Sequence, residues 1–321
     1  MGIRQKELLL LPVGAVAFAV SVVCAQSYPS KPIRVVTAQV GGSQDFGVRL
    51  LAPALSASLG QQVVVENRSG GTIGGEIVAK ANPDGYTLIY SGTIFWTLPL
   101  MRKSLPYDVL RDYAPVTMAT RAPLIFVVHP AVPVKSVKDF ISLAKTKPGG
   151  LNYATGGSGS SNHLAAELFK FMAGVDIITV QYRGSGGGVI GLMGGEVQMM
   201  IASTGSVSAH VKSGKVRALA VTTAEPTPLL PGLPTVAASG VPGYESTQKA
   251  GMFAPAKTPA AVISKLNREL VLILNRPDIK EKFVSDGVDT VGSTPAELAA
   301  MVKAEVARME KVIKAAGITA E

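Results

Sequence analysis

Short apolar runs rich in β-branched residues alternate with helix-length amphipathic segments along nearly the whole chain. The first such run is 33–37, a helical pattern follows at 46–59, and another short run follows at 63–65. Strands that alternate with helices in this way form parallel pairs, because a parallel connection needs a crossover and a helix supplies it. The alternation predicts an α/β fold with mixed, mostly parallel sheets flanked by helices.

The same alternation continues through the second half of the sequence. Further strand-like runs lie at 124–128, 151–154, 177–182, 197–202 and 216–222. The length of 321 residues favours two domains over one. The segment 223–243 contains five prolines, which makes it irregular and a candidate for a crossing between two lobes.

Helix signals mark the C-terminal region. A helical pattern covers 260–275, and the residues Thr294-Pro295-Ala296-Glu297 form a capping box that opens a helix running to Gly317. An earlier N-cap is predicted at Ser136, with Asp139 three residues later. We expect the two C-terminal helices to cover a sheet.

The N-terminus predicts export. Arg4 and Lys6 precede an apolar run that ends in small residues at Ala25, so 1–25 is typical of a secretory signal peptide and predicts a periplasmic protein. An uncleaved membrane anchor is the alternative, which Pro12 disfavours. Cys24 is the only cysteine. The mature chain would therefore have no disulfide, no thiolate metal site and no cysteine nucleophile.

The charge pattern limits the classes of partner. The formal net charge is +9, which suits an anionic ligand or an anionic membrane face and also aids solubility. The lysines and arginines are spread along the chain, and aromatic residues make up 6% of it. Neither pattern is typical of a nucleic-acid surface, so we predict no nucleic-acid partner.

Three loops rich in glycine and small hydroxyl residues each join a predicted strand to a predicted helix, at 41–43, 156–161 and 184–188. The first N–H groups of a helix bind anions well, and glycine lets the backbone approach a ligand. A phosphate-binding P-loop is excluded because no lysine with Ser or Thr follows the glycines. A nucleophile elbow is excluded because no serine has glycine two residues before and after it; Ser158 comes nearest.

The titratable residues near these loops leave alternatives open. His163 would be part of a ligand cradle or a cap, and no pair of histidines has metal-ligand spacing, so we predict no metal or other cofactor. Asp45 would bond amides of its own loop or face a ligand. Arg183 would pair with a carboxylate or lie on the surface.

Several segments together resemble the extracytoplasmic receptors of tripartite tricarboxylate transporters, often called Bug receptors. They are VGGSQD at 40–45, GGTIG at 70–74, NPDGYTL at 82–88, LPYD at 105–108, LNYA at 151–154, QYRG at 181–184, GKVRALA at 214–220 and GMFAP at 251–255. The resemblance covers essentially all of 28–317.

The resemblance implies a two-lobed periplasmic binding protein fold with a ligand cleft between the lobes. Lobe 1 would comprise 26–123 and 251–321, and lobe 2 would comprise 124–250. The chain would be a monomeric, non-enzymatic receptor that binds a small carboxylate and delivers it to membrane transporter subunits. Signalling through a partner protein, or a serine/histidine hydrolase, are the alternatives. The implied ligand-binding residues are Gly41, Gly42, Ser43, Asp45, Thr93, Gly157, Ser158, Ser160, Ser161, His163, Tyr182, Arg183 and Gly184.

The chain departs from the family pattern in three places. Val40 replaces the usual proline, and Gln198 and Ala202 stand where acidic residues are usual. The segment 91–96, which ends in the only tryptophan, is more apolar than usual. These departures could favour an aromatic or otherwise apolar acid, although Trp96 could equally belong to the core.

Overall fold

A computed structural model describes residues 28–40, 42–68, 72–102 and 104–319. The predicted signal peptide at 1–25 lies outside these residues. Within the described ranges, no helix is both long enough and apolar enough to cross a bilayer.

The described chain alternates strands and helices, as the apolar runs predict. The strands are β1 (Ile33–Thr37), β2 (Val63–Asn67), β3 (Thr87–Gly92), β4 (Tyr113–Val128), β5 (Asn152–Thr155), β6 (Ile178–Gln181), β7 (Met199–Ser203), β8 (Arg217–Val221), β9 (Thr247–Pro255) and β10 (Asp289–Thr290). The helices are α1 (Ser43–Leu59), α2 (Thr72–Ala79), α3 (Thr93–Thr97), α4 (Val109–Asp112), α5 (Val137–Thr146), α6 (Ser161–Ala173), α7 (Gly184–Met193), α8 (Thr204–Lys212), α9 (Ala260–Leu274), α10 (Pro277–Ser285) and α11 (Pro295–Ala316). A short 3-10 helix, Leu98–Leu100, follows α3.

The described strands form one mixed sheet in the order β2-β1-β3-β9-β4-β7-β5-β6, with β8 and β10 also paired to β4. The pairs β1–β2, β1–β3, β5–β6 and β5–β7 are parallel, as expected for strands joined through helices. The pairs that β4 and β9 make are antiparallel. The parallel units therefore lie at the two ends of the sheet, and two long antiparallel strands join them.

Strand β4 divides the sheet into two halves. Pro123 pairs with Thr247 of β9, whereas Leu124 pairs with Ser203 of β7. We call β1, β2, β3, β9, β10 and residues 113–123 of β4, with the helices packed on them, the first half; β5 to β8 and residues 124–128 form the second half. The partner changes here because a 16-residue strand is long enough to serve two sheets.

The proline-rich segment 223–243 does not cross between the halves. It lies along β8, where Val221 donates to Pro234 O at 2.8 Å and Val236 donates to Val221 O at 2.9 Å. Proline has no N–H donor, so the segment forms isolated bonds with the edge of β8 rather than a complete strand. The chain returns to the first half at the start of β9.

Each half has its own core, and α11 contributes to both. Phe126 and Phe169 make an edge-to-face contact in the second half, with ring centroids 4.9 Å apart. Met309 and Val312 of α11 pack into that core, whereas Leu298, near the start of α11, packs with Trp96 and its aromatic neighbours in the first half. Trp96 is 1% exposed and is therefore a core residue.

The predicted caps are confirmed. The Ser136 hydroxyl accepts from the Asp139 N–H at the start of α5. Thr294 and Glu297 form the reciprocal capping box at the start of α11. Both caps satisfy N–H groups that the first helical turn leaves without acceptors, which is why these helices begin where the sequence predicts.

Candidate functional site

A cavity of about 650 Å³ lies between the two halves and is lined by both. Its floor is made by β4 and β9, where Thr120 pairs with Ala250 and Ala122 pairs with Gln248. Residues that pair directly across two strands share a face of the sheet, so these four side chains face the cavity together. The volume is within the range of small-molecule binding sites.

The start of α1 forms one wall. Gly42 is the N-cap residue in an extended conformation, and its carbonyl accepts the first helical hydrogen bond, from Phe46 N at 3.0 Å. Ser43 and Gln44 occupy the first turn and line the cavity. The amides of this turn have no acceptors within the helix and carry its partial positive charge, so they suit an anion.

Asp45 anchors α1 instead of facing the cavity. It is 4% exposed, and its Oδ1 accepts from Arg49 Nε and Asn67 Nδ2, both at 2.7 Å. Asn67 is the last residue of β2, so the carboxylate ties the first turn of α1 to the end of a strand. These bonds to the side chains of Arg49 and Asn67 give Asp45 a structural role.

The start of α6 enters the cavity from the second half. Ser160 is its N-cap, and the Ser160 hydroxyl accepts from His163 N at 3.3 Å. Ser161 is the next residue and lines the cavity. The two adjacent serines therefore have different environments: Ser160 completes the helix, and Ser161 faces the open space.

His163 holds the loop that precedes α6. Its Nδ1 accepts from Gly159 N at 3.0 Å, and Gly159 has a φ of +71°, which glycine adopts without strain. His163 is 5% exposed, and its pKa is lowered from 6.5, mainly because burial disfavours the imidazolium. The neutral ring with its proton on Nε2 is the form that accepts this bond.

A buried polar cluster supports His163 from behind. The Tyr153 hydroxyl donates to Glu167 Oε1 at 2.5 Å, and Lys170 Nζ lies 2.8 Å from the same oxygen. The Tyr153 ring stacks on His163 with centroids 6.4 Å apart. Burial and the nearby Glu167 carboxylate raise the pKa of Tyr153, so its hydroxyl stays protonated. The cluster fixes the first two turns of α6 against β5.

The starts of α7 and α8 complete the wall of the second half. Ser185 lines the cavity, and its hydroxyl lies 3.2 Å from Asn162 Oδ1. Ser203 is the N-cap of α8 and lines the cavity with Thr204, whose hydroxyl donates to Pro123 O at 3.1 Å. Three helices of the second half therefore begin at the cavity, opposite the start of α1.

The residues predicted for the site fall into two groups. Those on the cavity wall are Gly42, Ser43 and Ser161. Those placed elsewhere among the described residues are Asp45, Thr93, Gly157, Ser158, Ser160, His163, Tyr182, Arg183 and Gly184. Gly41 lies outside the described residues.

Several residues of the second group have visible local roles. The Ser158 hydroxyl donates to Thr319 O at 2.7 Å, which connects this loop to the segment after α11. Tyr182 donates to Glu196 Oε2 at 2.8 Å. Arg183 is the N-cap residue of α7, and Gly184 follows it with a φ of +78°. Thr93 is buried at the start of α3.

Other cavity residues were not named individually as ligand contacts, although Ser185 belongs to the predicted loop at 184–188. They include Gln44, Ser185, Ser203, Thr204, Gly205, Gln248, Phe46, Phe283, Asp286 and Val288. The run Ser203-Thr204-Gly205-Ser206 follows a predicted strand in the same way as the three loops already identified, so the same rule would have found it. Gln248 and Phe283 have no comparable local signal, because tertiary packing alone brings them to the cavity.

The described residues offer no metal site. No group of three or more His, Cys, Asp or Glu residues is arranged to hold an ion within the described ranges.

The departures from the family pattern at 198 and 202 have structural explanations. Gln198 Oε1 accepts from Asn152 N at 2.8 Å, and Ala202 is fully buried in the core of the second half.

Comparisons with known proteins agree with this architecture. Residues 48–318 match the family model described as the tripartite tricarboxylate transporter family receptor. The BugT protein of Bordetella pertussis is 36% identical over 303 residues, covering 92% of each chain. A UPF0065 protein of Pseudomonas sp. strain P51 is 38% identical over 291 residues, covering 89% of this chain and 87% of the relative.

Solved structures show the same fold. Rpa4515 of R. palustris, solved with adipate, is 36% identical with a TM-score of 0.78, covering 91% of this chain and 99% of that one. MatC of Rhodopseudomonas palustris, solved with bound malate, is 29% identical with a TM-score of 0.75, covering 89% and 100%. The family match covers most of the chain, and the relatives cover about nine tenths of it, so the chain belongs to the tripartite tricarboxylate transporter receptors, a family of periplasmic solute-binding proteins.

Proposed function

We propose that this receptor captures a small carboxylate in the cavity between its halves and delivers it to the membrane subunits of a tripartite transporter. The observation that carries this proposal is the convergence of four helix starts, those of α1, α6, α7 and α8, on one cavity. Each start offers N–H groups and partial positive charge. The adipate and malate bound by two relatives support the same chemical class.

Binding from both halves provides a reason for closure. We assign lobe 1 to residues 26–123 and 251–321 and lobe 2 to 124–250. The last residues of lobe 2, 247–250, form the start of β9 and pair with strands of lobe 1. A carboxylate that contacts Ser43 on one lobe and Ser161 on the other gains both sets of contacts only when the lobes approach. The ligand then shifts the population toward the closed state, as its differential affinity requires.

We assign direct ligand contacts to Gly42, Ser43 and Ser161. Among the other predicted residues, we propose that those on the same helix starts or on the start of α7 hold these loops in shape; they are Asp45, Gly157, Ser158, Ser160, His163, Tyr182, Arg183 and Gly184. Thr93, at the start of α3, and Gly41, outside the described residues, remain predicted ligand-binding residues.

The proposal includes no catalytic step. A serine nucleophile needs a base within hydrogen-bond reach. His163 Nδ1 instead accepts from the Gly159 amide, and the Ser185 hydroxyl lies against Asn162. We further propose that the signal peptide at 1–25 is removed in the periplasm and that the receptor acts as a monomer.

The test is calorimetry on the mature protein with succinate, malate, adipate and benzoate, and with the neutral amides of these acids. We expect the acids to bind and the amides to fail, because the helix starts favour negative charge. Ser161→Ala should weaken acid binding about ten- to a hundredfold, the usual value of one hydrogen bond to a charged group. Ser142→Ala, at an exposed position of α5, is the matched control. Equal binding of an acid and its amide would refute the proposal.

A further inference from the structure

The two walls of the cavity differ in chemistry. Among the described residues, the second half contributes only small hydroxyl residues and glycine, namely Ser161, Ser185, Ser203, Thr204 and Gly205. The first half contributes the start of α1 and a surface that we call the apolar wall, formed by Phe46, Phe283, Val288 and Ala122. A ligand that fills the cavity therefore meets hydroxyls and helix starts from both halves, whereas hydrocarbon is concentrated on the apolar wall of the first half.

Phe46 is the accessible member of the apolar wall. It is 39% exposed, whereas Phe283 is 1% exposed. The two rings pack edge to face, with centroids 6.0 Å apart and planes at 86°. Phe283 therefore holds Phe46 in place while part of the Phe46 ring stays open. A large apolar side chain exposed inside a cavity gains free energy when a ligand covers it.

The spacing between Ser43 and Phe46 along α1 sets the distance between the carboxylate and the ring of a ligand that contacts both. The helix rises about 1.5 Å per residue, so Phe46 lies roughly 4.5 Å farther along α1 than Ser43. A carboxylate held at the start of α1 therefore places the next few atoms of the ligand beside the Phe46 ring. A flat ring one to three bonds from the carboxylate fits this distance.

The charges near the apolar wall disfavour a second carboxylate. Asp286 is the C-cap residue of α10 and lines the cavity between Phe283 and Val288 in the sequence. The C-terminus of a helix carries partial negative charge, which adds to the charge of the carboxylate. A second carboxylate at this end would meet like charge on both counts.

The cation on the cavity wall is already paired. Lys249 is the only lysine or arginine on the wall among the described residues, and its Nζ lies 3.2 Å from Glu305 Oε2. Its register partner on β4 is Arg121, and both face the side of the sheet opposite Thr120 and Ala122. The Lys249 ammonium therefore faces α11 and does not offset Asp286.

We propose that this receptor selects an aromatic monocarboxylate, with the carboxylate on the hydroxyls and helix starts and the ring against Phe46. The inference depends on the proposed function, because it assumes that the cavity binds an acid. An aromatic ring gains from Phe46 both buried apolar area and ring–ring geometry, which an aliphatic chain does not reproduce.

Calorimetry with matched probes tests the proposal. The probes are 3-phenylpropionate, adipate, 3-phenylpropionamide and L-phenylalanine, titrated into the mature protein and into Phe46→Ala, Phe46→Leu and Phe171→Ala. Phe171 is 54% exposed on α6 and does not line the cavity, so it controls for the loss of an exposed ring.

We expect 3-phenylpropionate to bind more tightly than adipate. Phe46→Ala should weaken it about tenfold and adipate less than twofold, with Phe46→Leu in between and Phe171→Ala unchanged. L-Phenylalanine should bind more weakly, because its ammonium lies beside the carboxylate and near the helix starts.

Three results would overturn the inference. Tighter binding of adipate than of 3-phenylpropionate, with Phe46→Ala weakening both acids equally, would refute the aromatic selectivity. It would not contradict the proposed carboxylate-binding function. Tighter binding of L-phenylalanine would show that a zwitterion is preferred. Binding of 3-phenylpropionamide as strong as that of the acid would refute the underlying carboxylate function as well.

Discussion

Lys249 and Glu305 form an ion pair between β9 and α11, with 3.2 Å between Nζ and Oε2 and with 8% and 6% of the two side chains exposed. The pair lies directly behind the cavity floor. Helix α11 is also the element that packs into the cores of both halves. The pair therefore fixes the helix that joins the halves to the strand that lies under the ligand.

Removing one partner of this pair should destabilise the protein. Lys249→Met leaves the Glu305 carboxylate buried, with Arg308 Nη2 at 3.8 Å as the remaining cation. We expect the free energy of unfolding to fall by about 3 kcal/mol, the lower end of the usual range for a broken buried pair, because Arg308 compensates in part. Urea denaturation measures the change.

The double variant Lys249→Met with Glu305→Leu is the control for that prediction. It removes both charges and should recover most of the lost stability, because apolar pairs replace buried ion pairs well. If Lys249→Met alone were as stable as the parent, the pair would contribute nothing and our account of α11 would be wrong.

Protonation of His163 should destabilise the protein at acidic pH. Its pKa is lowered in the folded state from 6.5, mainly by burial, so below pH 6.5 the unfolded chain binds a proton that the folded protein does not. The contribution to stability is complete above pH 6.5 and is lost as the pH falls through the lowered pKa. The slope between the two pKa values approaches about 1.4 kcal/mol per pH unit.

His163→Asn tests this assignment. The Asn side-chain oxygen can accept from Gly159 N in place of Nδ1, but it does not titrate. We expect the variant to lose less stability than the parent between pH 7 and pH 5 in urea titrations. Identical curves for His163→Asn and the parent would contradict the prediction.

Two glycines of α7 should respond to alanine in opposite directions. A Cβ at Gly186 would have no heavy atom within 4 Å, whereas a Cβ at Gly191 would collide with the Tyr182 hydroxyl. Gly186→Ala should raise the free energy of unfolding by about 0.5–1 kcal/mol by reducing the entropy of the unfolded chain. Gly191→Ala should lower it by about 1 kcal/mol, because Tyr182 must move away from Glu196.

Urea denaturation of Gly186→Ala and Gly191→Ala under the same conditions measures the two changes in the free energy of unfolding. The two variants share the helix, the substitution and the gain in helix propensity. The difference between their free energies of unfolding therefore reports the contact with Tyr182. Equal stabilisation by both alanines would mean that the Tyr182 ring moves at no cost. Stabilisation by neither would show that helix propensity does not limit the stability of α7.

The sequence predicted most of the fold because its local signals are strong. The strand at 33–37, the helix that ends at Leu59 and the caps at Ser136 and Thr294 all lie where periodicity and capping chemistry place them. The antiparallel core of the sheet was harder to predict. Whether β4 continues past Pro123 and changes its partner depends on pairing with β7 and β9, which no local pattern specifies.

The candidate site likewise combines residues that local signals predict with residues that only tertiary packing places. Helix starts are local features, so Gly42, Ser43 and Ser161 could be predicted from loops and helix patterns. The apolar wall depends on α10 packing beside α1, and Phe283 lies more than 230 residues from Phe46 in the sequence. Trp96 shows that unusual composition does not by itself identify a ligand contact, because this residue of the unusually apolar segment 91–96 proved to be core.

Ser160 and Ser161 should separate stability from binding, although they are adjacent. The Ser160 hydroxyl caps α6 and lies 3.2 Å from Thr155 Oγ1, so Ser160→Ala should lower the free energy of unfolding by about 1 kcal/mol. Ser161 is on the cavity wall and does not cap the helix. Ser161→Ala should leave stability within about 0.5 kcal/mol while weakening acid binding.

Measuring unfolding and binding on both variants checks this division of roles. Each variant is the control for the other, because both remove one hydroxyl from the same turn. A loss of binding with Ser160→Ala that exceeds the loss with Ser161→Ala would show that the shape of the loop, rather than the hydroxyl on the wall, governs recognition. Loss of stability with Ser161→Ala alone would mean that the cap had been assigned to the wrong serine.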